Sequence, residues 1–375
     1  MNTSPYKPQF PRAQEVTYLD TAAEGLPPLA AAEALEAYWL AKSQGTPGRR
    51  RLYEEQREAE CAAAKLLGVS SEDVALLANA SEALNLLANS IVWQPGDEVL
   101  ISDLEFPSNV LVWLRLRQFG VRVHVIPSHD GLVRLEDFTG RLSRRTRLVS
   151  VSAVSYKTGA RLPFLRELAE QSHGAGALFC VDATQALGRV PVSMGGVDYL
   201  VASSYKWLLA THGLGVVYLS PRLHEQLEPA TAGWYSVEHI FRPDRFEAFT
   251  PKPGAGRLQP GMPNFPACFT LRAGLECLLK IGVERLHRQL QPVMVGLRQG
   301  LEELGLQLLT PPAPEYASGI ISFAHEKAQE VSAALETQNV IVWGGDERVR
   351  LSAHLYNDDA DVSRCIAALK AVLHP

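Results

Sequence analysis

Apolar residues in the middle of the chain follow two alternating patterns. Between about residues 74 and 220, short runs that are apolar nearly throughout alternate with stretches in which apolar residues recur every three or four positions. The short runs are typical of strands covered on both faces, and the longer stretches of amphipathic helices. This alternation predicts βαβ units that build a mostly parallel sheet. The predicted strands are VALLA from Val74, EVLIS from Glu98, VRVHVI from Val121, TRLVSVSAV from Thr146, ALFCVDA from Ala177, DYLVASS from Asp198 and GVVYLS from Gly215.

The pattern changes after residue 220. The stretch 230–266 is rich in proline, glycine and aromatic residues, which indicates a long irregular crossover. Beyond it, LRAGLECLLKIGVERLHRQL and DVSRCIAALKAVL predict helices on a second, smaller sheet. A chain of 375 residues also exceeds the size at which a single core usually stops growing, about 250–300 residues. We therefore expect a large domain over 21–255 and a small C-terminal domain over 256–375 that includes 1–20.

Composition excludes several classes of function. The net charge of −5 with both signs scattered gives no basic stripe for nucleic acid. The N-terminus is polar, and no charge-free apolar run reaches membrane-spanning length, so we expect a soluble cytoplasmic protein without a membrane partner. No metal site is expected, because the cysteines form no CxxC pair and show no ligand spacing. The cysteines are Cys61, Cys180, Cys268, Cys277 and Cys365.

Polar residues stand just after the ends of several predicted strands, where ligands bind in α/β sheets. Ser81, in NASEALN, is at the expected N-cap of a helix whose free N–H groups favour anions. Asp182 ends an apolar strand, and a buried carboxylate needs a partner. Lys206 follows the next strand in SSYKWLLATHGLG, beside Trp207. Such an apolar, aromatic setting lowers the pKa of an amine, as imine chemistry requires.

Each of these residues alone has a simpler interpretation. Ser81 could be an ordinary helix cap, Asp182 one half of a salt bridge and Lys206 a solvated charge. Their order along the chain favours a common task, which is to hold pyridoxal phosphate. Ser81, Ser203 and backbone N–H groups would bind its phosphate, while Asp182 would keep its ring nitrogen protonated. Gln185 would hydrogen-bond the ring hydroxyl, and Lys206 would form the Schiff base.

The motifs resemble those of the class V aminotransferases. These are fold-type I pyridoxal-phosphate enzymes that include cysteine desulfurases, isopenicillin-N epimerase-like proteins and kynureninase. The resemblance covers nearly the whole chain, from YLDTAAEGLPP through NASEALN, LEFPSN and VDATQALG to SSYKWLLATHGLG and RVRLSAHLYNDDADV. It implies an α/β architecture of the fold-type I class: a mostly parallel sheet with helices on both faces, and a smaller α+β C-terminal domain.

The matching positions imply the residues of the site. Lys206 and Asp182 match the catalytic pair. Arg350 matches the arginine that grips the substrate α-carboxylate, a task suited to a planar bidentate group. The positions implied to bind the cofactor are Ala80, Ser81, Phe106, Asp182, Gln185, Ser203, Tyr205, Lys206, Gly261 and Met262. Those implied to bind the substrate are Arg350, Tyr156 and Ala23.

The chain departs from the family pattern in four places. Phe106 stands where many relatives have a ring-stacking histidine, which removes one acid–base group. Tyr205 replaces the histidine that usually precedes the lysine. Gly261 and Met262 replace a glycine–threonine pair that reaches a phosphate across the dimer. Finally, 340–350, VIVWGGDERVR, lacks the loop cysteine of cysteine desulfurases, which disfavours a sulfur relay.

The resemblance implies chemistry at the α-carbon of an amino acid through an external aldimine, with Lys206 moving the Cα proton. Transamination is our first expectation. A β-eliminating lyase of the C–S lyase or kynureninase-like kind is the alternative favoured by Phe106, Trp234 and the missing cysteine, and an epimerase is a third. The sequence leaves the substrate side chain open.

Two functions from other classes are weaker. A nicotinamide oxidoreductase could use Tyr205 and Lys206, but these residues are adjacent rather than on successive helix turns, and no GxGxxG follows the first strand. A non-catalytic binding module has no reason to keep a lysine, an aspartate and a glutamine in this order.

The implied partners are a small amino-acid substrate and a second copy of the chain. Family resemblance implies a homodimer with its active sites at the interface, where Gly261 and Met262 would reach the partner's phosphate. In GTPGRRRLYEE, Arg49, Arg50 and Arg51 would either recognise a second acidic group on the substrate or face solvent, and we expect solvent.

Overall fold

A computed structural model describes residues 3–224 and 226–373. Its strands lie in one large sheet, one small sheet and two short pairs. In chain order they are β1 (Thr17–Tyr18), β2 (Val74–Leu77), β3 (Glu98–Ser102), β4 (Arg122–Ile126), β5 (Thr146–Ser152), β6 (Leu178–Asp182), β7 (Tyr199–Ser203), β8 (Gly215–Leu219), β9 (Val237–Glu238), β10 (Thr250–Pro251), β11 (Ile320–Ala324), β12 (Val340–Ile341), β13 (Trp343–Gly345) and β14 (Arg348–Ser352).

Helices cover both faces of the large sheet and connect most of its strands. In chain order they are α1 (Pro11–Glu15), α2 (Leu29–Ser43), α3 (Arg49–Leu67), α4 (Ala80–Ser90), α5 (Ser108–Leu114), α6 (Leu135–Thr139), α7 (Leu165–Gly174), α8 (Phe265–Ile281), α9 (Val283–Gln289), α10 (Gln291–Glu303), α11 (Ala328–Glu336) and α12 (Asp359–Leu373). Short 3-10 turns occur at Lys7–Gln9, Ser71–Asp73, Arg115–Phe119, Pro221–Leu223, Gly254–Leu258 and Pro314–Tyr316.

The seven strands predicted from the sequence form the large sheet, in the order β2-β8-β7-β6-β5-β3-β4. Neighbouring strands are parallel except that β8 runs antiparallel to both β2 and β7. The mostly parallel α/β architecture is therefore confirmed. It brings the carboxyl ends of β6 and β7, adjacent and parallel, to one edge of the sheet.

Successive residues of the central strands point into two apolar cores, one on each face of the large sheet. In β7, Leu200 and Ala202 belong to one core, and Tyr199 and Val201 to the other. Both faces are covered, which explains why the strands read as continuous apolar runs. Cys180 is fully buried in the second core, as expected for a small core residue.

The C-terminal region has its own antiparallel sheet, in the order β11-β14-β13. The N-terminal segment joins this region, because β1 pairs in parallel with β12. The helix α8 instead packs against α2 and α3. The division into domains at residues 20 and 255 stays a prediction.

None of the helices within the described residues is long and apolar enough to cross a membrane. Within those same ranges, no cluster of histidine, cysteine and acidic side chains has the makings of a metal site.

Candidate active site

Lys206 lies in the loop that follows β7, three residues after Ser203. Its side chain is only 8% exposed, and its Nζ lies 5.4 Å from the ring centroid of Phe106 and 5.6 Å from that of Tyr205. Burial lowers the pKa of Lys206 to about 8, helped by the nearby Arg350 and opposed by acidic neighbours that include Asp182. This amine therefore loses its proton at a lower pH than an exposed lysine does, and the neutral amine is the form that attacks carbonyl groups.

Gly25, near the start of the chain, contacts the backbone of the loop that carries Lys206. The N–H of Gly25 donates to the carbonyl of Tyr205 over 2.8 Å. A Cβ at position 25 would lie 1.9 Å from the carbonyl oxygen of Lys206, so only glycine allows this approach. The loop then turns at Leu209, whose φ is +60° and whose N–H donates to the Lys206 carbonyl. The YLDTAAEGLPP motif thus positions the loop that carries Lys206.

Asp182 ends β6 and is buried. One carboxylate oxygen accepts a hydrogen bond from the N–H of Thr184 at 2.8 Å. No lysine, arginine or histidine of the described chain forms an ion pair with Asp182, so the predicted alternative of an arginine salt bridge is absent there. Burial raises the pKa of this carboxyl, while Thr184 and then Lys206 lower it. A buried carboxylate without a cationic partner fits a protonated ring nitrogen.

Gln185 is held between two elements. Its amide nitrogen donates to the carbonyl of Ala22 at 3.0 Å, and its amide oxygen accepts from the indole N–H of Trp207 at 2.7 Å. The predicted contact of Gln185 with a ring hydroxyl stays a prediction. Ala23, predicted to touch the substrate, follows Ala22, and its N–H donates to the carbonyl of Asp20.

The amino end of α4 differs from the prediction. Ser81 was expected to cap this helix, but Asn79 is the N-cap, and its side-chain oxygen accepts from the N–H of Glu82 at 2.9 Å. Asparagine caps at least as well as serine, so the helix begins two residues earlier than a Ser81 cap would place it, at Ala80. Ser81 instead shares a hydrogen bond with Ser108, with 2.7 Å between their Oγ atoms.

A cluster of hydroxyl and imidazole groups lies beside the lysine. Burial is the largest influence on the pKa of Tyr205 and raises it. A hydrogen bond between the side chains of Tyr205 and Ser203 acts in the opposite direction and lowers this pKa. The Tyr205 ring stacks on His212, with centroids 4.2 Å apart, and His212 Nε2 lies 3.2 Å from a carboxylate oxygen of Glu24. The sequence pattern did not indicate a role for His212 or Glu24, although a histidine is missing before Lys206.

A buried carboxylate supports the loop that carries Phe106. Glu105 accepts hydrogen bonds from Ser102 Oγ at 2.7 Å, from Asn109 Nδ2 at 2.8 Å and from the N–H of Ser152 at 3.1 Å. These donors connect β3, α5 and β5 to the loop. Phe106 is thereby held with its ring 41% exposed beside the lysine, where a flat cofactor ring could stack on it.

Tyr156 packs against Phe106 and also contacts Arg350. The rings of Phe106 and Tyr156 meet edge to face, with centroids 5.1 Å apart, and Arg350 donates to the Tyr156 carbonyl at 3.4 Å. Asp20 lies 3.5 Å from the Arg350 guanidinium. Burial raises the pKa of Asp20 to about 6, while burial lowers the pKa of Arg350 to about 10. The structure therefore brings the predicted carboxylate-binding arginine to the lysine side of the sheet.

Two predicted cofactor residues stand apart from this group. Gly261 and Met262 precede α8, and in the described chain neither makes a hydrogen bond or ring contact with the residues around Lys206. The space around Gly261 is open, and the Met262 side chain is exposed. Their predicted role requires a second copy of the chain.

The three adjacent arginines begin α3. Arg50 is exposed and lies 3.4 Å from Glu54. Arg51 forms an ion pair with Glu55 and lies over the ring of Phe269. Arg51 is therefore occupied by helix packing.

Comparisons with known proteins agree with this geometry. The chain is 28% identical to the uncharacterized aminotransferase YcbU of Bacillus subtilis over 98% of this chain and 97% of that protein. It is 27% identical to a probable cysteine desulfurase of Pyrococcus abyssi, over 97% of this chain and 96% of that one.

Solved structures share the fold. The apo structure of a cysteine desulfurase from Thermococcus onnurineus superposes with a TM-score of 0.90 at 25% identity, over 99% of this chain and 98% of that one. The cystine C–S lyase C-DES gives a TM-score of 0.89 at 22% identity, over 96% of this chain and 99% of that one, which is a likeness of fold.

The sequence model of the aminotransferase class-V family matches residues 17–365, from the first strand to the last helix. The chain therefore belongs to the class V aminotransferases, the pyridoxal-phosphate-dependent family whose motifs its sequence carries.

Proposed function

We propose that this enzyme transfers the amino group of an amino acid to a 2-oxo acid, with pyridoxal phosphate bound to Lys206. The single observation that carries the proposal is the buried Lys206 amine, whose pKa is lowered to about 8, near the buried Asp182, which has no cationic partner in the described chain. Each of these groups is unfavourable in isolation. Together they complement an aldehyde and a protonated ring nitrogen.

The residues around Lys206 suit each part of the cofactor. The N–H groups at the start of α4, with the hydroxyls of Ser81, Ser203 and Tyr205, would bind the phosphate. Phe106 would cover one face of the ring, and Asp182 would hold the proton on the ring nitrogen. When bound, the cofactor supplies an electron sink for the bond that breaks at Cα.

The chain's own groups would then handle the proton and the carboxylate. Lys206 would accept the Cα proton and return it, because its amine is buried and its pKa is lowered to about 8. Phe106 has no proton to exchange, so it leaves this task to the lysine. Arg350 would bind the α-carboxylate in a bidentate manner and so orient the Cα–H bond.

A β-eliminating lyase is the second candidate, and the names of the relatives favour it. Several relatives are described as cysteine desulfurases, and C-DES as a cystine C–S lyase. The tight turn between β13 and β14 argues against a sulfur relay. Only Asp346 and Glu347 lie between these strands, and the segment 340–350 contains no cysteine. Elimination without a cysteine acceptor remains compatible with the site.

A product assay separates the two reactions. Purified enzyme is incubated with an amino-acid panel, with and without 2-oxoglutarate. Transamination predicts that the new oxo acid accumulates beyond one equivalent per active site only when the acceptor is present. Ammonia and pyruvate formed without an acceptor would contradict it and support elimination. Lys206→Ala should abolish either reaction, whereas Lys327→Ala, at an exposed lysine, should leave it unchanged.

We further propose a homodimer with active sites at the interface. Four apolar side chains of α2 are exposed, namely Leu29, Leu35, Trp39 and Leu40. Phe106, beside Lys206, and Met262, a predicted cofactor residue, are exposed as well. Exposed apolar groups of this size favour burial against a partner. Sedimentation equilibrium should give twice the chain mass, and a monomer that retains full activity would contradict the proposal.

A cytoplasmic location is also proposed, in keeping with five cysteines that are all free thiols. Cell fractionation with detection of the native protein tests this.

A further inference from the structure

Arg348 is a second buried arginine on the same face of β14 as Arg350. Side chains two residues apart on a strand point to the same side, and their Cα atoms are about 7 Å apart. Trp343 of β13 pairs directly with Arg350 and shares this face. The guanidinium carbons of Arg348 and Arg350 lie 4.7 and 5.1 Å from the centroid of the Trp343 ring. One indole therefore contacts both cations.

The Arg348 guanidinium is connected to Lys206 through two aromatic rings in contact. Arg348 lies 5.1 Å from the ring centroid of Tyr156, which meets Phe106, which in turn lies beside Lys206. Arg348 is thus separated from the Lys206 amine by the rings of Tyr156 and Phe106. Arg350 donates to the carbonyl of the same Tyr156, so both arginines adjoin this residue.

The hydrogen-bonding capacity of both arginines is incompletely used. Arg348 is 1% exposed and Arg350 is 4% exposed, yet the Nε of each lacks a hydrogen-bond partner within the described residues. A buried guanidinium with an unpaired N–H is costly unless an acceptor completes it. Carboxylates complete such groups in a planar, two-point manner.

Arg348 forms an ion pair with the carboxylate of Asp346, and this contact can break because Asp346 is exposed. Its side chain is 65% exposed and lies in the turn that joins β13 to β14. Asp346 and the next residue, Glu347, have φ values of +48° and +54°, a conformation that costs non-glycine residues free energy. Asp346 can therefore exchange this contact for water when another carboxylate arrives.

We propose that Arg348 recognises a second carboxylate, on the substrate side chain, so that the preferred substrates are dicarboxylic amino acids such as aspartate or glutamate. The reaction of these substrates rests on the proposed function, whereas the binding site for the second carboxylate does not. Arg350 binds the α-carboxylate, and Arg348 takes the distal one in place of Asp346.

Binding of an unreactive probe tests the site apart from the chemistry. Glutarate carries two carboxylates, and its monoamide has nearly the same shape with one charge fewer. Calorimetry on the wild-type holoenzyme should show glutarate binding about tenfold to a hundredfold more tightly than the monoamide, as expected for charge-assisted hydrogen bonds to a buried arginine. Arg348→Met should remove this preference, whereas Arg166→Met, at an exposed arginine, should keep it.

Kinetics provide the second measurement. For glutamate, Arg348→Met should raise KM by about tenfold or more while kcat changes little, and for glutamine both values should stay nearly constant. Asp346→Asn removes the competing carboxylate and should lower KM for glutamate. It also serves as the deciding variant if Arg348→Met does not fold, since position 346 is exposed.

Equal binding of glutarate and its monoamide to the wild type would overturn the inference. It is also overturned if Arg348→Met weakens both probes to the same degree, or if Asp346→Asn leaves glutamate and glutarate unchanged. If glutarate binding depends on Arg348 but no amino acid transfers its amino group, the site stands and the proposed reaction fails.

Discussion

Replacing Lys206 by methionine should stabilise the cofactor-free protein at neutral pH. Burial, with Arg350 as a further cause, lowers the pKa of this amine from 10.5 to about 8. Each pKa unit corresponds to about 1.4 kcal/mol, so protonating the buried amine costs the native state about 3 kcal/mol at neutral pH. Contacts of the charged amine with two aromatic rings offset about 1 kcal/mol. Methionine has a similar length and no charge, so the expected gain is about 2 kcal/mol.

The gain must depend on pH in one direction. Between about pH 8 and 10.5 the unfolded chain binds more protons at Lys206 than the native state does. The stability of the wild type relative to Lys206→Met therefore rises through this range, and the advantage of methionine shrinks. Below about pH 8 the amine is protonated in both states, and the full advantage is present.

Denaturant unfolding of the cofactor-free proteins at several pH values between about 7 and 10 measures this difference. Lys327→Met is the matched control, because its side chain is 70% exposed, and it should change stability by less than about 0.5 kcal/mol at every pH. A Lys206→Met protein that is less stable than the wild type at neutral pH would refute the reasoning. So would an advantage that stays constant up to pH 10.

Three further predictions concern the surroundings of Lys206. Asp182→Asn should keep the cofactor bound but lower kcat by at least about a hundredfold, since an amide cannot hold the ring-nitrogen proton; absorbance and steady-state rates check this. Gly25→Ala should weaken cofactor binding and lower the melting temperature, because its Cβ would lie 1.9 Å from the Lys206 carbonyl oxygen; cofactor titration checks this. In the wild type, KM should fall as pH drops through about 6, because protonated Asp20 releases Arg350 for the substrate, and Asp20→Asn should abolish that dependence.

The sequence predicted the sheet well because its strands are buried on both faces. A residue such as Val201 needs apolar neighbours whichever way it points, so the pattern is visible without tertiary information. The polar residues at strand ends could be found for a related reason. Asp182 and Ser203 interrupt apolar runs at the edge where adjacent parallel strands end together.

Residues that act through tertiary contacts were missed. His212 stacks on Tyr205 only because the loop between them turns at Leu209 with a positive φ, which leucine rarely adopts. Arg348 lies beside Trp343 because of the pairing register of a hairpin that local sequence does not reveal. The N-cap of α4 was misplaced for a simpler reason. Asn79 and Ser81 are both residue types that cap helices well, and in the structure Asn79 has the extended backbone conformation of an N-cap.

The central claim is that Lys206 holds pyridoxal phosphate covalently. Borohydride reduction of the purified enzyme followed by peptide mass spectrometry tests it most directly. We expect loss of the visible absorption band and a pyridoxyl-phosphate mass increment on the peptide that contains Lys206. Neither effect is expected in Lys206→Ala. A reduced cofactor attached to another lysine, or an unchanged spectrum in Lys206→Ala, would contradict the claim.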